Sequence, residues 1–279
     1  MPSFGLFGRA LIAGAFAWAL AGPVAAQNFN DAMKKLIADA NKEGRLSLGW
    51  GNNGLGGLQG AQRAGAEMNK MFGSNIKVEF LPGPDMARVA SQLMTEANAG
   101  QEAHVDIMLG AVPQMAPMIK ADVLRPIDWR SYLPERVTPG MIEMDGRMMR
   151  IVTGLSGATY NSALAPMKPE RLEDFLRPEW KGRIASTPYA AGFDVLVAND
   201  VWGEKRLFDF VRALTKQVAG LIRCGDTERV ATGEFLAIVM DCTGQDALVW
   251  QEKGAPIEQM LPLDAAQKRY YYFGVPKHA

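Results

Sequence analysis

Short apolar runs alternate with helix-forming segments along the first half of the chain, and this alternation restricts the possible folds more than any other feature. The runs lie at residues 45–50, 76–81 and 105–109, and each is followed by a turn and a helical pattern. Neighbouring parallel strands need a long connection, usually a helix. The pattern therefore predicts an α/β fold whose parallel sheet is covered by helices on both faces.

The second half of the chain shows a similar alternation after a turn-rich stretch at residues 126–149. Two strand-like passages, at 148–152 and 157–161, lead out of the first unit. The segments predicted for a second unit are strands at 183–186, 220–224 and 236–240 and helices at 169–180 and 200–216. No repeat or low-complexity linker separates the halves. We therefore predict two α/β units that are joined by ordered crossing segments and have a cleft between them.

The composition fits a globular protein and excludes one class of partner. The chain has 279 residues, 48% of them hydrophobic, which is enough for the cores of two medium-sized domains. Its 30 Lys and Arg residues balance 30 Asp and Glu residues, and they form no basic block. Nucleic-acid binding needs a basic surface, so we expect no DNA or RNA partner.

The first 26 residues have the pattern of a secretory signal peptide. Arg9 is their only charged side chain, and an apolar run follows at 10–21. A Gly-Pro pair and the small residues Val24-Ala-Ala26 then precede Gln27. The run is too short for the roughly 20 residues that span a bilayer, so we expect cleavage before Gln27 and a periplasmic mature protein.

Several motifs, weak alone but ordered along most of the chain, resemble a family of transport receptors. They are Lys42-Glu-Gly-Arg-Leu-Ser-Leu48, Ala121-Asp-Val-Leu-Arg-Pro126, Tyr160-Asn161, the run from Leu172 to Ile184, and Thr232-Gly-Glu234. This set is similar to the extracellular solute-binding proteins of ABC importers, family 1, in their ferric-iron-binding-like branch. The resemblance implies a type II periplasmic-binding fold of two lobes, which close by a hinge on a small solute and deliver it to a membrane permease.

With the resemblance, the chain divides into a signal peptide and two lobes. Residues 27–155 and 264–279 form lobe 1 in this division, and residues 156–263 form lobe 2. The chain stops at Lys277-His-Ala279, where the related proteins continue with helices that complete the first lobe. We therefore expect a C-terminally truncated lobe 1 with part of its apolar surface uncovered. We expect a monomer.

The ferric members of this branch bind iron through two adjacent tyrosines of the second lobe, and this chain departs from that pattern. The corresponding stretch reads Met240-Asp-Cys-Thr-Gly-Gln245 and contains no tyrosine. Tyr270-Tyr-Tyr272 lies in an apolar run, which indicates strand packing instead. We expect neither a bound metal nor a cofactor, and a polar solute rather than iron.

A glycine-rich segment, Gly49-Trp-Gly-Asn-Asn-Gly54, follows the first strand and admits three interpretations. It matches a dinucleotide-binding pattern, but the acidic residue that this pattern requires is only approximated by Glu79. It can also present backbone N–H groups to an anionic solute, with amides from Asn52 and Asn53 and stacking from Trp50. Alternatively, it is a tight turn that serves packing.

Ligands of open α/β sheets bind outside the carboxyl ends of the strands, which supplies the remaining candidates. The other predicted ligand-binding residues at such positions are Asp85, Ser156, Tyr160, Tyr189, Asp226, Thr227 and Asp241. Asp85 and Asp226 also stand where helices begin, so helix capping is the alternative for both. Convergence of Asp85, Asp226 and Asp241 would favour a cationic solute, and the sign of the solute's charge stays open.

Catalytic patterns are absent from the sequence. Gly154-Leu-Ser-Gly-Ala158 resembles a nucleophile elbow but ends in alanine, and neither His104 nor His278 lies in a motif of a general base. We expect no enzyme and no catalytic residue, with a secreted α/β hydrolase as the alternative. Cys224 and Cys242 follow or end neighbouring strands, and an oxidising compartment would allow a disulfide between them.

Overall fold

The computed structural model describes residues 29–52, 54–190, 192–198, 200–242 and 244–279. The signal peptide predicted at 1–26 and the candidate Asn53 lie outside these residues. The helices are α1 (Asp31–Glu43), α2 (Gly57–Phe72), α3 (Met86–Asn98), α4 (Val112–Lys120), α5 (Trp129–Tyr132), α6 (Phe193–Leu196), α7 (Gly203–Leu214), α8 (Thr227–Ala231) and α9 (Gln245–Glu252). The strands are β1 (Arg45–Gly49), β2 (Lys77–Phe80), β3 (Ile107–Gly110), β4 (Ile142–Glu143), β5 (Met148–Leu155), β6 (Gly157–Asn161), β7 (Ile184–Ser186), β8 (Val218–Leu221), β9 (Ala237–Asp241), β10 (Ile257–Met260) and β11 (Lys268–Gly274).

The strands form two mixed sheets, one in each lobe. The six-stranded sheet of lobe 1 has the order β2-β1-β3-β11-β5-β4, and the five-stranded sheet of lobe 2 has the order β10-β6-β9-β7-β8. Among the described strands, parallel pairing joins β1 to β2 and β3, and β7 to β8 and β9. The parallel pairing predicted for the first three strands is confirmed. The strands β11, β5, β6 and β10, where the chain passes between the sheets, pair antiparallel instead.

Local sequence signals explain the ends of the first helix. The Asn30 side chain accepts a hydrogen bond from the Met33 N–H at 2.8 Å, which caps the start of α1. Gly44 ends α1 with φ of 71°, a left-handed conformation that glycine adopts without steric cost. The chain then turns directly into β1.

The helix predicted at 169–180 was wrong. This segment forms two short 3₁₀ turns, Leu172–Leu176 and Pro178–Trp180. Pro178 disfavours a helical conformation at Arg177, which is extended with ψ of 149°. Leu172, Phe175 and Trp180 are nevertheless fully buried in the core of lobe 2.

Each lobe has its own hydrophobic core. In lobe 1, helices α3 and α4 pack on β3 and β11 through Leu93, Met108, Met115 and Leu124. In lobe 2, α7 packs on the sheet through residues that include Leu207, Phe210 and Leu214. Two cores of this kind allow each lobe to move as a rigid unit.

The chain crosses between the lobes at two adjacent places. Ser156 alone separates β5 from β6, and residues 261–267 connect β10 to β11. The Gln259 Nε2 group donates to the Leu155 carbonyl oxygen at 2.9 Å across these connections. A Cβ on Gly157 would lie 2.1 Å from the Met260 carbonyl oxygen, so the backbones approach too closely for any side chain. We refer to these paired crossings as the hinge region, or hinge.

Candidate functional site

The register of the strands places one edge of each sheet at the hinge. In lobe 1, β11 runs opposite to β3, with Tyr272 paired to Gly110, so that the first residues of β11 extend beyond the carboxyl end of β3. In lobe 2, Gly157 pairs with Asp241 at the carboxyl end of β9. Because only Ser156 lies between β5 and β6, the loops that follow these strand ends in the two lobes flank one cleft. This is where open α/β sheets bind ligands.

Trp50 points into lobe 1 rather than into the cleft. It is 2% exposed, and its ring centroid lies 5.1 Å from that of Phe80 and 6.1 Å from that of Phe273. Its Nε1–H donates to the Gly54 carbonyl oxygen at 2.7 Å, so its polar atom is already satisfied. The expected stacking of Trp50 on a solute does not fit this position. The exposed Asn52 is the accessible candidate of this loop.

The glycines of the same loop are explained by close packing. A Cβ at Gly54 would lie 2.9 Å from the Trp50 ring, and one at Gly57 would lie 2.3 Å from the Asn52 carbonyl oxygen. Gly57 also has φ of 58°. The tight-turn interpretation of the glycine segment therefore accounts for Gly54 and Gly57. The groups that this segment places at the end of β1 are its backbone and the Asn52 side chain.

Asp85 follows β2 and caps α3. Its Oδ1 accepts a hydrogen bond from the Arg88 N–H at 2.8 Å, which is the capping role considered from the sequence. The charge of the Asp85 carboxylate nevertheless contributes to raising the pKa of Tyr189 in lobe 2. Asp85 therefore marks the lobe 1 side of the cleft.

Tyr189 follows β7 in lobe 2 and is half-buried. Burial raises the pKa of the Tyr189 hydroxyl, the charge of Asp85 raises it further, Arg223 lowers it and Asp226 raises it. Electrostatic interactions weaken with distance, so these effects place charged groups of both lobes near one aromatic ring. The structure thus brings together Asp85, Tyr189 and Asp226 from three separate loops.

Two threonines beside this group have unsatisfied hydroxyls. Thr187 follows β7 and Thr227 begins α8, and both are buried. Among the described residues, neither Thr187 Oγ1 nor Thr227 Oγ1 has a hydrogen-bond partner. A buried hydroxyl without a partner costs free energy, and a bound polar molecule is one means of satisfying it.

Asp226 stands at the N-cap position of α8 but does not cap it through its side chain. Its Oδ2 accepts a hydrogen bond from the Arg223 N–H at 3.1 Å instead. The simple capping interpretation of Asp226 was wrong, because the carboxylate turns back onto the preceding loop. This contact fixes the loop between β8 and α8.

Cys224 and Cys242 form a disulfide that ties the loops after β8 and β9. Beside it, Asp241 is 3% exposed and accepts hydrogen bonds from Thr159 Oγ1 at 2.7 Å and from the Cys242 N–H at 2.8 Å. Burial raises the pKa of Asp241 despite these bonds. Burial and the charge of Asp241 also raise the pKa of Asp246 to about 6. Asp241 therefore organises the loops rather than presenting a free carboxylate.

Ser156 and Tyr160 are both buried. The Ser156 Oγ–H donates to the Cys242 carbonyl oxygen at 3.1 Å, which links the hinge to the disulfide loop. The Tyr160 O–H donates to Glu258 Oε2 at 2.6 Å, further along β6 from the cleft. Burial, with help from Glu258, raises the Tyr160 pKa. Ser156 thus serves the hinge, and Tyr160 serves the pairing of β6 with β10.

The side chains that remain to be considered for metal binding are the tyrosines of β11 and His104. Tyr271 and Tyr272 are buried in β11, and the Tyr272 O–H donates to Glu143 Oε1 at 3.0 Å. His104 Nδ1 lies 2.9 Å from Glu96 Oε2. Within the described part of the chain, no group of three or more His, Cys, Asp or Glu side chains is arranged to hold a metal ion.

Three charged residues near the cleft were not predicted from the sequence. Arg269 at the start of β11 and Asp194 in α6 form an ion pair although they are 75 positions apart, and Asp246 lies beside Asp241. In the sequence, Arg269 is recognisable only as a charged residue at the start of an apolar strand. Such residues are common, so this position did not predict a buried ion pair. Their partners depend on the tertiary structure.

Comparison with known families is decisive for the class of protein. The sequence profile described as bacterial extracellular solute-binding protein matches residues 63–279. The chain belongs to this family. A Fe(3+)-binding periplasmic protein of Serratia marcescens is 29% identical over 146 residues, which are 50% of this chain and 41% of that protein. The match thus spans less than half of the relative's own length.

Solved structures of solute-binding proteins have the same two-lobe fold. The binding protein AfuA of Actinobacillus pleuropneumoniae, with fructose-6-phosphate bound, aligns with a TM-score of 0.70 at 17% identity over 85% of this chain and 75% of that one. Iron-bound HitA of Pseudomonas aeruginosa aligns with a TM-score of 0.66 at 16% identity over 84% and 76%. The predicted type II periplasmic-binding architecture is confirmed. The hydrolase alternative finds no support in these comparisons. Among the described helices, none is long and apolar enough to cross a membrane.

Proposed function

We propose that this solute-binding protein is a periplasmic receptor of an ABC importer. It captures a small polar solute between its lobes and delivers it unchanged to a membrane permease, without catalysis. The observation that carries the proposal is the cleft itself, because two separately packed lobes are joined by paired crossings of the chain and turn their strand-end loops towards each other. Binding at such a site shifts the equilibrium between open and closed lobes.

The solute contacts in this proposal come from the loops at the mouth of the cleft. Asn52 and Asp85 line the lobe 1 side, and Tyr189, Asp226 and the Thr227 hydroxyl line the lobe 2 side. Asn53, the next residue in the sequence, stays a predicted contact and lies outside the described residues. Tyr189 offers an aromatic face for stacking, while the amide and hydroxyl groups can both donate and accept hydrogen bonds. Trp50, Ser156, Tyr160 and Asp241 support these loops from inside the lobes.

The two sheets support the proposed division of the chain. Residues up to 155, together with 264–279, contribute the strands of the six-stranded sheet, and residues 156–263 contribute those of the five-stranded sheet. We propose this division as the moving units. The mature receptor acts as a monomer, and residues 1–26 are removed on export. Intact-mass analysis of the exported protein is expected to find Gln27 at the N-terminus, and retention of Met1 would contradict the proposed export.

A thermal-shift screen tests the function directly. The compounds should include metal ions, organic anions, amines and sugar phosphates, because AfuA and HitA hold chemically different ligands in the same fold. A ligand at 100 times its dissociation constant stabilises the folded state by about 2.7 kcal/mol. We expect one chemical class to raise the melting temperature without being consumed. Conversion of that compound to a product would establish an enzyme instead.

Matched variants locate the binding site within this screen. Tyr189→Ala and Asp226→Asn are expected to remove the ligand-induced shift while leaving the melting temperature of the free protein nearly unchanged. Asp209→Asn is the control, because Asp209 is exposed on α7 and pairs with Lys205 within lobe 2. An unchanged shift in Tyr189→Ala and Asp226→Asn would place the solute elsewhere.

A further inference from the structure

The ion pair between Arg269 and Asp194 joins the two lobes. Arg269 lies at the start of β11 in the sheet of lobe 1, where it pairs with Gly154 of β5. Asp194 lies in α6 of lobe 2. Arg269 Nη1 is 2.5 Å from Asp194 Oδ1, so the two charges are in direct contact across the cleft. The contact lies beside the hinge, because β11 begins immediately after the second crossing.

Each partner is held firmly by its own lobe. Phe193 and Leu196, the neighbours of Asp194 in α6, pack against the core of lobe 2. Arg269 lies in a strand that pairs with β5 at Gly154, and its guanidinium lies 5.7 Å from the centre of the Tyr271 ring. The pair therefore constrains the lobes themselves rather than two mobile side chains.

The burial of Arg269 makes the pair necessary. The Arg269 side chain is only 6% exposed, whereas that of Asp194 is 25% exposed. A guanidinium stays charged at all relevant pH values, and a buried charge without a partner is strongly unfavourable. The Arg269 Nε–H has no partner among the described residues, so Asp194 is the main compensation for this charge. If Asp194 lost its charge, separation of the lobes would admit water to the guanidinium.

We propose that the Arg269–Asp194 ion pair is a strut at the floor of the cleft, which sets the relative position of the two lobes. The floor is then occupied by the protein's own charges. The solute, under the function proposed above, is consequently held further out, between the loops that carry Asn52, Asp85, Tyr189 and Asp226. The strut makes Arg269 and Asp194 positioning residues that do not contact the solute.

The distance between the lobes in solution tests this proposal without any solute. Spin labels are attached to Gln59→Cys in α2 and Lys216→Cys after α7, in oxidised protein whose native disulfide stays closed. Double electron–electron resonance then measures the label separation. We expect a single narrow distribution in the parent and a broader distribution with a longer mean in Asp194→Asn. Asp209→Asn, which breaks an ion pair within lobe 2, should match the parent.

The distance measurements test the strut separately from the ligand screen, which tests the proposed function. A distribution in Asp194→Asn identical to that of Asp209→Asn would overturn the strut, even if a solute is found. Loss of cooperative unfolding in Asp194→Asn would also overturn it, because the pair would then serve the folding of a lobe. Arg269→Gln provides a second variant, and combining it with Asp194→Asn should cause less than the sum of the two single shifts. A screen without any stabilising compound would refute the receptor while leaving the distances valid.

Discussion

Replacing Asp246 by asparagine is expected to stabilise the folded protein at neutral pH. Asp246 lies in the first turn of α9, where burial and the nearby charge of Asp241 raise its pKa from 3.8 to about 6. Between these two values the folded state holds a proton that the unfolded state has released. The free energy of unfolding of the parent therefore falls as the pH rises through this window, and the loss is complete above the folded-state pKa.

The size of the effect follows from the shift. About two pKa units at 1.36 kcal/mol each give an upper limit of about 3 kcal/mol. Solvent screens a side chain that is only partly buried, so we expect roughly half of this value. Asparagine has nearly the same shape and no charge, so Asp246→Asn should gain this free energy at pH 7 and little at pH 4.

Urea denaturation at pH 4, 5, 6 and 7 measures the difference. The linear extrapolation gives the free energy of unfolding at each pH for the parent and for Asp246→Asn. Asp209→Asn serves as the control, because its exposed carboxylate has a pKa lowered by Lys205 and should give no stabilisation at pH 7. A parent–variant difference that stays constant from pH 4 to pH 7, or a less stable Asp246→Asn at pH 7, would refute the reasoning.

Three further substitutions test the structural roles assigned above. Trp50→Ala should lower the free energy of unfolding, measured in urea, by about 3–5 kcal/mol, since Trp50 is buried in the lobe 1 core. A much smaller decrease would contradict this role and favour a position of Trp50 in the cleft. Cys224→Ser should cost about 3 kcal/mol for an 18-residue separation, and chemical reduction of the parent should cause the same loss in a thermal melt. Gly157→Ala should destabilise the protein by about 1–3 kcal/mol through its clash at the crossing, whereas Gly140→Ala, with space for a Cβ, should not.

Much of the architecture was predictable from short-range patterns. The runs at 45–50, 76–81 and 105–109 correspond to β1, β2 and β3, and a helix follows each of them as expected. Hydrophobic periodicity and helix caps depend on residues close together in the chain. They can therefore be predicted from a single sequence. The ordered motifs also identified the solute-binding family.

The candidate site was only partly predictable for the same reason. The sequence predicts which positions follow strand ends, but whether the side chain at each position points into the cleft depends on packing. Trp50 follows a strand and turns into the core, whereas Tyr189 follows a strand and lies between charges of both lobes. No local pattern distinguishes these two aromatic residues.

The sequence alone therefore determined the class of fold, the order of its elements and the family, because these depend on periodicity and on motifs read along the chain. The tertiary structure alone decided the direction of Trp50, the pairing of Arg269 with Asp194 and the raised pKa of Asp246. The direction of Trp50 and the raised pKa of Asp246 arise from burial within one lobe, whereas Arg269 and Asp194 meet because the chain crosses between the lobes. Burial and contacts of this kind depend on how the whole chain packs, so no short-range pattern near these residues predicts them.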